Sequence, residues 1–403
     1  MLTFNSIDVK TFLQDYWQQK PCIIRNAWPN FKQPLTADEL AGLALESDVE
    51  SRIVIQTPGV FPYWQLRHGP FSEDDFVNLP ATHWTLLVQG VDRLVPEIAL
   101  LWEYFNFLPQ WRIDDVMISY AVKEGSVGPH YDNYDVFLLQ ANGYRKWSLT
   151  QQKCIPSNCL PNLDLRIMAE FIVEEEYILA PGDILYLPPN VGHHGIALDN
   201  DCITYSFGYR SYQTQELLNS FTDYLAEQPI TSFYRDPDWS YCLSTASIPQ
   251  QAWLNARDAL QQFLHDEQLL SKWFAHFATA LNPSIEQDLP EILDEHQSLH
   301  LVDFIAQLRI SKGLIRDACC RFAYLEKSIP SLQQNDGELQ LFINGCEWAI
   351  ENVSVDLIKL IATKRFLPID NLKPLIDCNN NQVFLHELWQ LQWLVLVKTE
   401  DLA

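Results

Sequence analysis

Between Met117 and Leu149 the chain carries short apolar runs separated by tight turns, and no stretch with a helical period. Met117-Ile118-Ser119-Tyr120-Ala121-Val122 runs into Gly125, Gly128 and Pro129, and Val136-Phe137-Leu138-Leu139-Gln140 follows as a second run. Ala141-Asn142-Gly143-Tyr144 reads as a hairpin turn with Asn-Gly at its centre, and Arg145 to Leu149 as the return strand. The pattern resumes with Tyr177 to Ala180, the turn Pro181-Gly182-Asp183, Ile184 to Leu187, a Pro188-Pro189 break, and Cys202 to Gly208. Short strands joined by tight turns restrict the segment to a β-barrel or sandwich.

Inside this series stand His130 and Asp132, answered about sixty residues later by His193 and His194. Side chains two apart on a strand share a face, so His130 and Asp132 point together into whatever the strand lines. A histidine from a later strand would complete two imidazoles and a carboxylate on one side of a metal, the pattern of non-heme Fe(II) oxygenases. A bare His-x-Asp is a poor signal by itself and more often marks a hydrogen-bonded pair on a strand rim. His193 and His194 are adjacent and would face opposite ways on an extended strand, so one of the two is the third member. Asp135, an odd number of residues from His130, faces away from the site and reads as structural.

The segment resembles the JmjC-type double-stranded β-helix, a cupin-like jelly roll, and specifically the bacterial ribosomal oxygenases that hydroxylate an arginine of large-subunit protein sixteen. The resemblance rests on Asp15 to Arg25, Asp114 to Ser119, Gly128 to Phe137, Tyr186 to Pro189 with His193, and Ile203 to Arg210. It implies Fe(II) on His130, Asp132 and His193, with 2-oxoglutarate and dioxygen as cosubstrates. Arg145 matches the family's anchor for the far carboxylate, for which a planar guanidinium is suited; Lys146 is the alternative. Ser119 and Tyr205 are candidates for hydrogen bonds near the cosubstrate. Asp115, with Met117 beside it, matches the place where the family holds the substrate arginine, although Asp114 and Asp115 also read as a solvated turn. Two departures bear on loop geometry: Asn190-Val191-Gly192 replaces the usual Gly-Phe-Pro, and Ser126 replaces a glycine.

The fold class implied is α+β multidomain: a catalytic jelly roll over 1–210, a helical dimerisation module over 211–290 and a winged-helix-like domain over 291–403. Apolar stripes support helices at Gln213–Gln228 and through Ala252–Leu281. Beyond them, helices are expected at Leu299–Ile310, around Gly313–Glu326 and near Val355–Thr363, with a strand at Leu339–Asn344. Upstream, helices are expected at Val9–Gln19, from Thr36 as cap to Glu46, and at Pro96–Phe105, with strands at Pro21–Arg25 and Ser51–Ile55.

With 403 residues, 47% of them apolar, and 13 tryptophans, the chain has material for a sizeable core. A formal charge of −25 disfavours a broad nucleic-acid face and suits a basic protein partner. Between residues 291 and 403, 16 Asp and Glu face 10 Lys and Arg, so a DNA-binding role for a winged helix is not expected. Nine cysteines without a Cys-x-x-Cys pair read as reduced core residues, Cys154 and Cys159 included. The first residues carry no basic and apolar leader, and no apolar run reaches membrane-spanning length, so a soluble cytoplasmic protein is expected; the resemblance implies a homodimer. Two other readings stay open: a histidyl hydroxylase or lysine demethylase on the same fold, and a cupin-like scaffold without catalysis.

Overall fold

The computed structural model describes residues 7–60, 63–152, 155–161, 165–238, 246–294, 296–326 and 339–398. Met1 to Ser6 and Cys154, both part of the sequence reading, lie outside them. The chain divides into two compact units, Met1–Ser211 and Tyr212–Ala403.

Among its described residues the first unit contains eleven strands: β1 (Cys22–Ile24), β2 (Ser51–Gln56), β3 (Trp64–His68), β4 (Trp84–Val88), β5 (Ile113–Ala121), β6 (Asp135–Asn142), β7 (Arg145–Thr150), β8 (Glu175–Leu179), β9 (Ile184–Leu187), β10 (Gly192–Ala197) and β11 (Cys202–Tyr209). Eight form one antiparallel sheet in the order β1-β9-β6-β11-β5-β4-β2-β3; the other three form a smaller sheet, β10-β7-β8. Strand parity decides what each face of the large sheet does. Val116 and Ile118 of β5, Phe137 and Leu139 of β6, and Tyr205, Phe207 and Tyr209 of β11 bury themselves on the outer face, packed with Phe12, Leu40 and Trp102. Val136 and Leu138 of β6 and Leu185 and Leu187 of β9 point the other way. There they meet Trp147, Leu149 and Leu179 of the small sheet in a second, inter-sheet cluster.

Two sequence expectations change here. The Asn142-Gly143 turn does not close a hairpin. β6 pairs with β9 and β11, while β7 pairs with β10 and β8, so the turn carries the chain from one sheet to the other. Its Gly143 has φ +64°, and a Cβ there would stand 2.5 Å from Asp199 Oδ1; the turn chemistry was read correctly, its partner strand was not. Upstream, the helix at Pro96–Phe105 is an α-turn, Pro96–Leu100, tightening into a 3-10 turn, Leu101–Phe105. The cap at Thr36 forms a full capping box with Glu39.

The second unit holds helices Thr214–Ala226, Gln250–Leu264, Glu267–Thr279, Leu301–Ile310, Val355–Thr363 and Asn379–Gln390, together with two three-stranded antiparallel sheets. The long apolar stripe over Ala252–Leu281 is two helices, because Asp266 caps a new one by accepting from the Leu269 N–H. The helix expected over Gly313–Glu326 is instead two strands, Gly313–Arg316 and Phe322–Glu326, in different sheets. Gly313 has φ +137° and its Cα lies against the Leu367 carbonyl, a strand approach that no helix residue permits. Its core gathers Phe304, Leu308, Leu341, Leu357, Leu385 and Leu388. No described helix is long and apolar enough to cross a membrane.

Candidate metal and dicarboxylate site

The loop from β5 to β6 brings His130 beside β10. His130 and His193 exchange both backbone hydrogen bonds, at 2.9 and 2.7 Å, as an antiparallel pair. Directly opposed residues send their side chains to one side, and the two rings stand 4.2 Å apart. Asp132, two residues on, is fixed by its own carbonyl, which accepts the Asn190 N–H at 2.7 Å. Each imidazole has one nitrogen committed: His130 Nδ1 lies 2.9 Å from the Gly128 carbonyl and His193 Nδ1 3.0 Å from that of Val191. A carbonyl can only accept, so Nδ1 carries the proton and Nε2 presents its lone pair. Both Nε2 atoms lie near one carboxylate oxygen, with Asp132 Oδ2 at 4.0 Å from His130 Nε2 and 3.6 Å from His193 Nε2. Ligand atoms of the three residues all lie within 4.8 Å of one another, and they are the one such cluster among the described residues. Burial, reinforced by the neighbouring His130, pulls His193 down to about 4, which keeps its imidazole neutral. Neutral imidazoles and a carboxylate on one side of an open space fit a facial divalent metal site.

The competing residues fall where parity puts them. His194 turns to the other side, near the ring of Phe171. Lys146 also points away and pairs with Glu176 at 3.2 Å. Asp135, fully buried, accepts from Tyr186 Oη at 2.6 Å and from Gln18 and Arg112 at 3.1 Å, tying the end of the ligand loop to the sheet. The two departures in loop sequence are absorbed locally. Ser126 Oγ accepts the Gly128 N–H at 3.0 Å, and Asn190 adopts φ +65°, a left-handed conformation that asparagine tolerates.

The histidines and Asp132 line a cavity of about 370 Å³ between the two sheets, shared with Arg145, Met117 and Ser119. Arg145 is 3% exposed, yet its Nε and one terminal nitrogen have no hydrogen-bond partner among the described residues. A buried guanidinium with unmet donors fits a carboxylate ligand. Tyr205 is the site residue that the fold removes. It lies on the outer face against Phe31, whereas its neighbours Thr204 and Ser206 line the cavity and Thr204 sits opposite Ser119. Choosing between Thr204 and Tyr205 needs the register between β11 and β5, which the sequence does not print.

Asp115 shares the Met117 and Ser119 face of β5 and is buried, so the solvated-turn reading fails for it; Asp114 is exposed. Its Oδ2 accepts from Gln89 Nε2 at 2.7 Å and the Gly90 N–H at 2.9 Å. Burial, with the charges of Asp92 and Asp114, raises its pKa to about 7. The 165–168 segment borders the same cavity. Ile167 lines the cavity and Met168 donates to the Pro129 carbonyl at 2.7 Å, laying this segment on the ligand loop. The sequence reading missed Ile167, Thr204, Ser206 and Trp147; only Trp147, two residues past Arg145 on one strand, carried a parity signal.

A JmjC domain model matches residues 100–217. The ribosomal protein uL16 3-hydroxylase of Escherichia coli (strain K12) is 39% identical over 293 residues, covering 72% of this chain and 75% of that protein. A probable ribosomal oxygenase of Haemophilus influenzae is 40% identical over 246 residues, 60% of this chain and 57% of its own length. The solved structure of the Escherichia coli ribosomal oxygenase YcfD with cobalt and 2-oxoglutarate superposes with a TM-score of 0.78 at 30% identity, covering 98% of this chain and 99% of that one.

Proposed function

The chain belongs to the JmjC-type ribosomal oxygenases, and from that membership we propose that it is an Fe(II)- and 2-oxoglutarate-dependent hydroxylase of a large-subunit ribosomal protein, acting on the β-carbon of an arginine. The observation that carries the reading is the pair of Nε2 atoms near Asp132, set in one cavity with a buried, unsatisfied Arg145. When bound, Fe(II), 2-oxoglutarate and dioxygen supply the oxidising chemistry that hydroxylates an unactivated C–H bond.

In this proposal His130, Asp132 and His193 hold the metal. Arg145 anchors the far carboxylate of 2-oxoglutarate, and Ser119 offers a hydroxyl from the facing sheet. Asp115, beyond Met117 on the same strand face, receives the substrate guanidinium, whose charge would draw the buried acid into its ionised form. Placement then decides which bond is attacked. Support for arginine over histidine or methyl-lysine is that buried carboxylate. The acidic charge of −25 favours a basic substrate protein over nucleic acid.

The proposed organisation is a catalytic part over 1–210, a helical dimerisation module over 211–290 and a winged-helix-like protein-interaction module over 291–403, working as a cytoplasmic homodimer. Its support is the apolar stripe of the Gln250–Leu264 helix, which buries none of its own residues fully and leaves Trp253 and Leu260 exposed.

The test is to incubate Fe(II)-loaded protein with 2-oxoglutarate and a basic ribosomal protein fraction, then map products by mass spectrometry. A gain of about 16 mass units on an arginine peptide, absent with Asp132→Ala, is expected. A loss of about 14 units would identify a demethylase instead. Neither product, with no turnover of 2-oxoglutarate, would leave a binding scaffold.

A further inference from the structure

Trp147 has no part in the reading above, yet it occupies the middle of the site. On the small sheet β7 and β10 run antiparallel with Arg145 opposite Ala197, Trp147 opposite Gly195 and Leu149 opposite His193. The carboxylate anchor and the second histidine therefore stand two rungs either side of the indole, about 13 Å apart along the strands. The ring closes part of that gap in both directions: its centroid is 5.7 Å from the His193 ring, and the Arg145 guanidinium lies 5.8 Å from it.

The opposite rung explains how so large a ring fits. A Cβ on Gly195 would stand 2.8 Å from two carbons of the benzene edge of the indole and 3.0 Å from a third. Only a glycine lets the ring lie down there. That contact turns the pyrrole edge, which carries Nε1, away from β10. Trp147 is 5% exposed and lines the cavity, and its Nε1 has no hydrogen-bond partner among the described residues. A phenylalanine would fill the apolar cluster without leaving a buried donor unpaired, and unpaired buried donors are costly. Two adjacent same-face residues of β7, Arg145 and Trp147, thus both line one cavity, and both carry N–H groups without a partner among the described residues.

We propose that Trp147 is a second binding residue for the dicarboxylate cosubstrate, its indole N–H donating to the carboxylate that Arg145 holds and its ring, seated on Gly195, walling the carbon chain. The proposal rests on the 2-oxoglutarate reading. It makes the Trp147–Gly195 pair a gauge for the chain length of the acid, because the ring fills the rung between anchor and metal.

The experiment titrates 2-oxoglutarate, oxaloacetate and 2-oxoadipate calorimetrically into the full-length protein loaded with Co(II), with Co(II) affinity and melting temperature measured alongside. Trp147→Phe is expected to weaken 2-oxoglutarate about tenfold, the usual effect of one hydrogen bond to a charged group, while Co(II) affinity stays within about twofold. Gly195→Ala, which displaces the ring without removing the N–H, is expected to weaken 2-oxoglutarate as well and to narrow its preference over the other two acids. In the Trp147→Phe background the alanine should add little. Unchanged 2-oxoglutarate affinity in Trp147→Phe, or in Gly195→Ala, overturns the proposal and leaves the oxygenase reading standing. A parent protein that takes up Co(II) but no 2-oxoglutarate overturns that reading and this inference together.

Discussion

Arg145 and Asp115 are buried ionisable groups of opposite kind, and each makes a separate prediction. Arg145→Lys keeps a positive charge but loses the planar pair of donors on a shorter, rounder head, so the two are not interchangeable here. Its expected effect is a rise in KM for 2-oxoglutarate of about tenfold or more, with Co(II) binding unchanged; an unaltered KM would move the anchor elsewhere. Asp115 has a folded pKa raised to about 7 by burial and by Asp92 and Asp114, against an ordinary value near 3.9 unfolded. The folded state holds the proton more tightly, so the stabilisation is complete below about pH 4 and is lost as pH rises through about 7. Thermal melts of the substrate-free protein should therefore show Asp115→Asn flattening the fall in stability between about pH 4 and 7. A fall identical to the parent's would place that titration on another group. At this scale the sequence spoke clearly wherever parity along one strand sufficed: His130 with Asp132, Asp135 turned away, Arg145 inward and Lys146 outward. It failed at Tyr205, where the answer depended on how two strands distant in sequence line up.

Gly128 shows how elements, rather than single contacts, hold the ligand loop. It has φ +81°, its N–H is taken by Ser126, its carbonyl orients His130, and a Cβ on it would meet Ile167 at 3.0 Å. Gly128→Ala combines left-handed strain with a clash against the 165–168 segment, costing about 1–3 kcal/mol of stability. Co(II) affinity should fall with it, because the His130 ring loses its orienting carbonyl. Adding Ile167→Ala is expected to recover part of the metal affinity by removing the clash. Recovery in neither property would mean that strain at residue 128 acts alone. Element boundaries were legible in proportion to their local chemistry. The capping box at Thr36 and the Pro188-Pro189 break were readable; the exchange of sheets at Asn142-Gly143 was not, since a turn type does not say which strand the chain pairs with next. Gly313–Glu326 was misread because two four- to five-residue apolar runs around Asp317 are too short to show a period.

At the scale of the whole molecule, the chain carries a charge of −25, while Arg145, the proposed anchor, is a buried cation. These two features act over different distances and should separate experimentally. Attraction between an acidic surface and a basic substrate is long-ranged and fades as the Debye length shrinks from about 10 Å at 0.1 M salt to about 3 Å at 1 M. Arg145, enclosed between sheets, is screened far less. Raising salt from about 0.05 to about 0.5 M is therefore expected to raise KM for the ribosomal protein several-fold. Over the same range KM for 2-oxoglutarate should change by less than about twofold. Steady-state kinetics with each component varied at both salt concentrations makes the comparison. A parallel shift in both constants would mean that salt acts on the catalytic fold itself, and a flat response in both would mean that the acidic surface serves solubility and does not gather substrate.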